Sequence, residues 1–246
     1  MLDSNNSATP LLLLPGLICD ARIWAPQAEA LRSVRDVHAI NGYGEAASIS
    51  AMADYVLETA PERFALAGHS MGGRVALEIY RRAPERVERL ALVSTGIHPV
   101  KPNEPEGRYK LLARGKEEGM DALIDGWLPP MVWAPNRTPA LMDHLTRMCA
   151  DMGLDTFERQ MHALLERPEG ESLMSSIACP ALVCTGAQDE WANAAQHEAI
   201  AEAIHGARLV IVPEAGHMLP VERAEAMTAA LASWLDMSYA DDREVS

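Results

Sequence analysis

The chain has 246 residues, 48% of them hydrophobic, with 35 acidic against 21 basic side chains and a formal net charge of −14. That length suits one α/β domain with room for an insertion. So acidic a chain repels phosphate backbones and anionic lipid, which argues against nucleic-acid and membrane-surface roles. In chain order, the apolar run Leu11-Leu12-Leu13-Leu14, ended by Pro15-Gly16, predicts a strand buried on both faces, as in a parallel sheet. A helix is predicted over 24–31. A strand over 34–40 follows, closed by the turn cluster Asn41-Gly42-Tyr43-Gly44. Residues 50–59 read as a helix with Ser50 as N-cap and Met52 and Val56, with Tyr55 beside them, on its inner face. Strands are predicted over 63–67 and 90–93, with a helix over 71–83 between them.

The rhythm then breaks. From 96 to 176 there is no strand candidate, only prolines and amphipathic helical patterns. Thr138-Pro139 reads as a helix start, an N-cap followed by a first-turn proline, with Leu141, Leu145, Met148 and Met152 on one face. Leu154, Phe157, Met161, Leu164 and Leu165 mark another helix. A strand over 181–186, a helix over 191–204, a strand over 208–212 and a helix over 221–235 complete the pattern, before a polar tail over 238–246 expected to fray. Alternating strands and helices with short connections imply right-handed βα units and a parallel sheet. The expected organisation is an α/β core formed by 1–96 and 177–246, with 97–176 as an inserted helical cap.

One stretch organises the chemistry. Gly68-His69-Ser70-Met71-Gly72 reads G-x-S-x-G between a predicted strand and a predicted helix, the setting a nucleophile elbow requires. Ser70 is then exposed at a helix N-terminus, where free N–H groups favour developing negative charge. A serine needs a base, and the base needs an orienter. Asp189 follows the strand 181–186, and His217 follows the strand 208–212, both just past the carboxyl ends of strands, where α/β sites gather. Glu190 and Glu214 compete for the acid role. Of the other histidines, His69 is expected to pack beside the serine, and His197 and His205 to lie on or after a surface helix. His38 belongs to a strand, while His144 and His162 belong to the insertion. The cysteines, Cys19, Cys149, Cys179 and Cys184, show no disulfide or zinc spacing, so free thiols in a reducing compartment are expected. No metal-ligand motif such as H-E-x-x-H is present. Residues 1–10 lack a signal-peptide pattern, and a cytoplasmic location is the expectation.

The segments Leu13-Leu14-Pro15-Gly16-Leu17, Gly42-Tyr43-Gly44, Gly68-His69-Ser70-Met71-Gly72-Gly73, Gly186-Ala187-Gln188-Asp189 and Ala215-Gly216-His217 together resemble the α/β-hydrolase superfamily. The resemblance is to its small bacterial serine carboxylesterases with a helical cap, similar to the pimeloyl-carrier-protein methyl esterases. It implies a triad of Ser70, Asp189 and His217 and an oxyanion hole made by the backbone N–H groups of Leu17 and Met71, with no cofactor. The chain departs from the family's common His-Gly pattern by having Pro15-Gly16, which brings no imidazole to brace that loop.

The expected activity is hydrolysis of carboxylic esters. Thioesters, lactones and C–C bonds next to a ketone are rivals for the same triad, and a ligand-binding receptor is the rival from another class. Trp127, Met131, Trp133, Trp191, Met218 and Cys19 are the candidate pocket residues. They predict an apolar pocket of modest size for short- to medium-chain esters. Because every catalytic candidate lies outside 97–176, the insertion is expected to set specificity and leave the chemistry alone. Lys101, Arg108, Lys110, Arg114 and Lys116 form a locally basic stretch. Interleaved glutamates favour a solvated helix there over a docking face for an acyl carrier protein.

Overall fold

The computed structural model describes residues 9–236. The expected polar tail over 238–246 lies outside them. Six strands form one parallel sheet: β1 (Leu11–Leu14), β2 (Val37–Ala39), β3 (Phe64–His69), β4 (Val87–Val93), β5 (Ala181–Gly186) and β6 (Arg208–Val212), in the order β2-β1-β3-β4-β5-β6. β1, β3 and β5 are buried along their whole length, as near-continuous apolar strands covered on both faces must be.

The helices of the α/β part are α1 (Ala25–Leu31), α2 (Ile49–Thr59) and α3 (Met71–Arg82), then, beyond the insertion, α8 (Ala194–Ala203), α9 (Leu219–Glu222) and α10 (Ala224–Leu235). α1 packs with α10, and α2 with α3. The order reverses at β1, so right-handed crossovers place α1 and α3 on opposite faces of the sheet. Between β4 and β5 the chain forms α4 (Glu104–Glu118), α5 (Met120–Trp127), α6 (Pro139–Met152) and α7 (Leu154–Leu165), joined by short 3₁₀ turns and no strand. Thr138 caps α6 as expected, its Oγ1 accepting the Leu141 N–H at 3.3 Å.

Local readings fail where a polar side chain or solvent overrides the pattern. Ser48, not Ser50, caps α2: its hydroxyl accepts the Ala51 N–H at 3.0 Å, while Ser50 donates to Glu78 at 2.9 Å. Tyr55 lies on the exposed face of that helix. The second strand spans only Val37–Ala39, because Val34 sits in solvent at the end of α1. Trp191 precedes α8 instead of opening it, since the Asp189 carboxylate draws the N–H groups of Trp191 and Ala192 into a turn, each at 2.9 Å. The last predicted helix is two helices, broken at Arg223. All four cysteines are buried and unpaired. Among the described residues no helix is long and apolar enough to cross a membrane.

Candidate active site

Ser70 stands between β3 and α3 with φ at +55°, a region a non-glycine residue occupies only under constraint. The constraint is visible. The Ser70 N–H donates to Val93 O at 2.9 Å, and its carbonyl accepts the Thr95 hydroxyl at 2.7 Å. Side chains at the flanking glycines would break the turn. A Cβ at Gly68 would come within 2.2 Å of Gly72 O, and one at Gly72 within 2.5 Å of Leu14 O. The elbow therefore exists because α3 and β1 approach the turn as bare backbone.

His217 and Asp189 meet Ser70 from two other strand ends. The His217 Nδ1–H donates to Asp189 Oδ2 at 2.8 Å, and His217 Nε2 accepts the Ser70 hydroxyl at 2.8 Å. Asp189 and His217 are both buried. Burial pushes the Asp189 carboxyl up, but the His217 charge, its hydrogen bond and the N–H groups of Ala192 and Trp191 outweigh it and bring the pKa down to about 2. The acid stays ionised and fixes the imidazole with its free nitrogen toward the serine. The rival acids are elsewhere: Glu214 pairs with Arg223 at 2.7 Å, and Glu190 is exposed. His69 packs against the His217 ring at 5.4 Å, and its Nε2–H donates to the His217 carbonyl at 2.8 Å. Burial, then the neighbouring His217, lower the His69 pKa to about 3, so it is a neutral positioning group. His197 is not a surface residue: it is buried and accepts the Thr95 N–H at 3.2 Å.

Three supports were not read from the sequence. Glu222, one turn into α9, gathers the backbone N–H groups of Gly216, Met218 and Trp133, each at about 3.0 Å, and so shapes the loop that carries His217. The loop after β1 is braced without a histidine. Trp24 Nε1 donates to Leu14 O and Tyr43 Oη to Pro15 O, both at 2.9 Å. Gln160, buried on α7, accepts the Ile18 N–H at 2.7 Å where Ile18 has φ of +43°. The insertion thus touches both the loop after β1 and the loop that carries His217, since Met131 O also accepts the His217 N–H at 2.8 Å. Trp24 and Gln160 look like ordinary core in a sequence, and the Gly42-Tyr43-Gly44 segment shows a turn without showing that the Tyr43 hydroxyl reaches Pro15 O.

A cavity of about 500 Å³ opens over Ser70 and His217. Leu17 and Met71 line it, and no acceptor among the described residues takes either N–H. Trp127, Met131 and Trp191 also line it, with Trp191 half-exposed at the rim. Cys19, Trp133 and Met218 do not. Cys19 is fully buried, and burial, then Cys149, raise its thiol pKa well above the usual range. Met218 is buried too, and Trp133 contributes a backbone contact to Glu222 instead of a wall. Neither His144 nor His162 reaches the cavity. The walls are mainly apolar, as expected, but they also carry charge that was not expected. Phe157, Leu111 and Leu164 are joined there by Arg74, His98, Lys101, Glu104, Arg108 and Arg167. Lys101 and Arg108, read as part of a solvated basic stretch, face this cavity. Among the described residues no group of three or more His, Cys, Asp or Glu is placed to hold a metal ion.

A parallel sheet with a strained serine elbow and a buried Asp-His pair at its carboxyl edge defines the α/β-hydrolase class. The chain belongs to the alpha/beta hydrolase family, whose sequence model matches residues 11–231. Over 242 residues it is 27% identical to a Caulobacter protein named provisionally as the carbamate hydrolase RutD, covering 92% of this chain and 90% of that one. Two solved structures are similar. A thermophilic esterase from Thermogutta terrifontis, solved with malate bound, has a TM-score of 0.86 and 27% identity over 93% of this chain and 90% of its own. The enol-lactonase from Burkholderia xenovorans LB400 has a TM-score of 0.83 and 28% identity over 96% and 94%.

Proposed function

We propose that the protein is a serine hydrolase that cleaves carboxylic esters of small to medium size through an acyl-serine intermediate. The observation that carries this reading is the unbroken hydrogen-bonded path from Asp189 through His217 to Ser70, opening into a cavity of about 500 Å³. That volume falls within the usual range for small-molecule sites. His217 Nε2 takes the hydroxyl proton as Ser70 Oγ forms a bond to the ester carbonyl carbon. The oxyanion accepts hydrogen bonds from the Leu17 and Met71 N–H groups, typically worth a few kcal/mol each. Collapse breaks the C–O bond, and His217 returns the proton to the leaving alcohol. Water repeats the sequence on the acyl-serine, releasing the acid. Asp189 holds the imidazole and stabilises its cation throughout.

The helices α4 to α7 act as a cap in this reading. They supply cavity walls, and through Gln160 and Met131 they also hold the catalytic loops. Four buried, unpaired thiols suit a reducing compartment such as the cytoplasm. The test is turnover of p-nitrophenyl esters of increasing acyl length, with matched thioesters, lactones and a carbamate alongside. The expected result is highest kcat/KM for esters, falling in Ser70→Ala by roughly six orders of magnitude in kcat while the protein stays folded. Faster turnover of the carbamate or a lactone would reassign the substrate class. Residual ester turnover within about tenfold of wild type in Ser70→Ala would overturn the nucleophile.

A further inference from the structure

The cavity that holds Ser70 carries Arg74, Lys101, Arg108 and Arg167 against one carboxylate, Glu104, in a chain whose net charge is −14. The charges are not equally compensated. Arg167 donates to both Glu104 oxygens at 2.7 Å and spends its remaining N–H groups on the carbonyls of Leu164, Pro99 and His98. Arg108 donates to the same Glu104 at 2.9 Å. Burial raises the Glu104 pKa, but these two guanidinium groups outweigh it and bring it down to about 2, so the carboxylate is ionised and fully engaged. Among the described residues Arg74 has no carboxylate within hydrogen-bonding distance. A guanidinium offers five N–H donors, and Arg74 uses one protein acceptor, the His98 carbonyl at 3.2 Å. Burial, then Arg167, press its pKa below the ordinary arginine range, against a smaller opposing pull from Glu104, which does not hydrogen-bond it. His98 beside it stays neutral, held to about pKa 4 by burial and then by Arg74.

Position gives this cation a use. Arg74 lies in the first turn of α3, four residues after Ser70, which stands at the N-terminus of that helix. Both line the same cavity. We infer that Arg74 is a substrate-binding residue and that the ester carries a carboxylate, which pairs with this guanidinium while Ser70 attacks the ester carbonyl. The inference rests on the esterase reading and narrows it from esters in general to anionic ones. A planar guanidinium matches a carboxylate through two parallel hydrogen bonds, and an anion there offsets part of the wall's excess positive charge.

Two matched pairs of substrates test it. Monomethyl and dimethyl glutarate place the charge, or its absence, on the acyl side, whereas acetylglycolate and its methyl ester place it on the alcohol side. The expected result is a kcat/KM preference of about tenfold or more for the anionic member of at least one pair. Arg74→Met should bring that ratio to about one or below, while Arg74→Lys keeps part of it. The pair that responds assigns the side. Free glutarate should raise the melting temperature of wild type and not of Arg74→Met. The unliganded Arg74→Met protein should melt no lower than wild type, because it sheds an uncompensated cation. Neutral esters turned over as well as both carboxylates, or a preference that survives Arg74→Met, would overturn the subsite. Failure of the parent reading looks different: no turnover of any of the four esters and no labelling of Ser70 by a fluorophosphonate. In that case the glutarate shift alone decides the subsite, and its absence would overturn it.

Discussion

At the scale of single residues, the proposed chemistry depends on side chains whose alternatives are closed off by burial. Asp189 is held through both carboxylate oxygens, with Oδ1 taking two backbone N–H groups and Oδ2 taking the His217 Nδ1–H. Asp189→Asn should fold and keep substrate affinity while lowering kcat by about four orders of magnitude, since an amide NH₂ facing Nδ1 selects the wrong tautomer. Steady-state kinetics with a circular-dichroism control measure this, and an Asn variant within about tenfold of wild type would contradict the role. Ser70, Asp189 and His217 were legible in the sequence because each sits at a strand end beside a glycine or an acid in a recognisable setting. Arg74 was not. Periodicity places it on the face of α3 beside Ser70, but no pattern distinguishes a wall facing a cavity from one facing water. Glu222 was missed for a related reason: it acts on backbone N–H groups of a preceding loop, and such a partner leaves no spacing rule behind.

At the scale of elements, β5 and β6 were read with the bounds the structure has, because uninterrupted apolar runs ended by glycine or proline leave little choice. Ends governed by one side chain, such as the Ser48 cap and the Asp189 turn, escaped that logic. The inserted helices carry the more consequential difference. Expected to tune specificity alone, they and the turn at Met131 contact the loops that carry Ile18 and His217, through Gln160 and the Met131 carbonyl. Gln160→Leu should therefore lower kcat for esters of every size by about tenfold, because Ile18 loses the partner that holds its strained backbone beside Leu17. A lower melting temperature with unchanged kcat would reduce Gln160 to a packing role. Trp127, buried in the cavity wall, bears on the other role proposed for these helices, shaping the substrate space. Trp127→Ala should weaken bulky esters by ~1–3 kcal/mol in kcat/KM and acetyl esters by less. Equal losses across acyl length would contradict that assignment.

At the scale of the whole molecule, the two ends of the insertion are tied to each other by charge as well as by packing. Glu104 opens α4, and Arg167 lies in the segment leading back toward β5. The Glu104 pKa falls from 4.5 to about 2 on folding, because the two guanidinium groups outweigh burial. A carboxylate depressed in this way stabilises the fold above its unfolded value, and the benefit is lost as pH falls through the folded one. Glu104→Gln should thus melt well below wild type at pH 7, with the gap closing as pH drops from about 4.5 toward 2. A gap independent of pH would mean that the ion pair contributes nothing through linkage. The central claim is that Ser70, activated by His217, carries the acyl group. Its most direct test is intact-protein and peptide mass spectrometry after rapid quenching with p-nitrophenyl acetate, alongside fluorophosphonate labelling. A single added acyl or phosphonyl mass on the peptide containing Ser70 is predicted, formed in wild type and lost in both Ser70→Ala and His217→Ala. Modification at another residue, or undiminished modification in Ser70→Ala, would contradict the account.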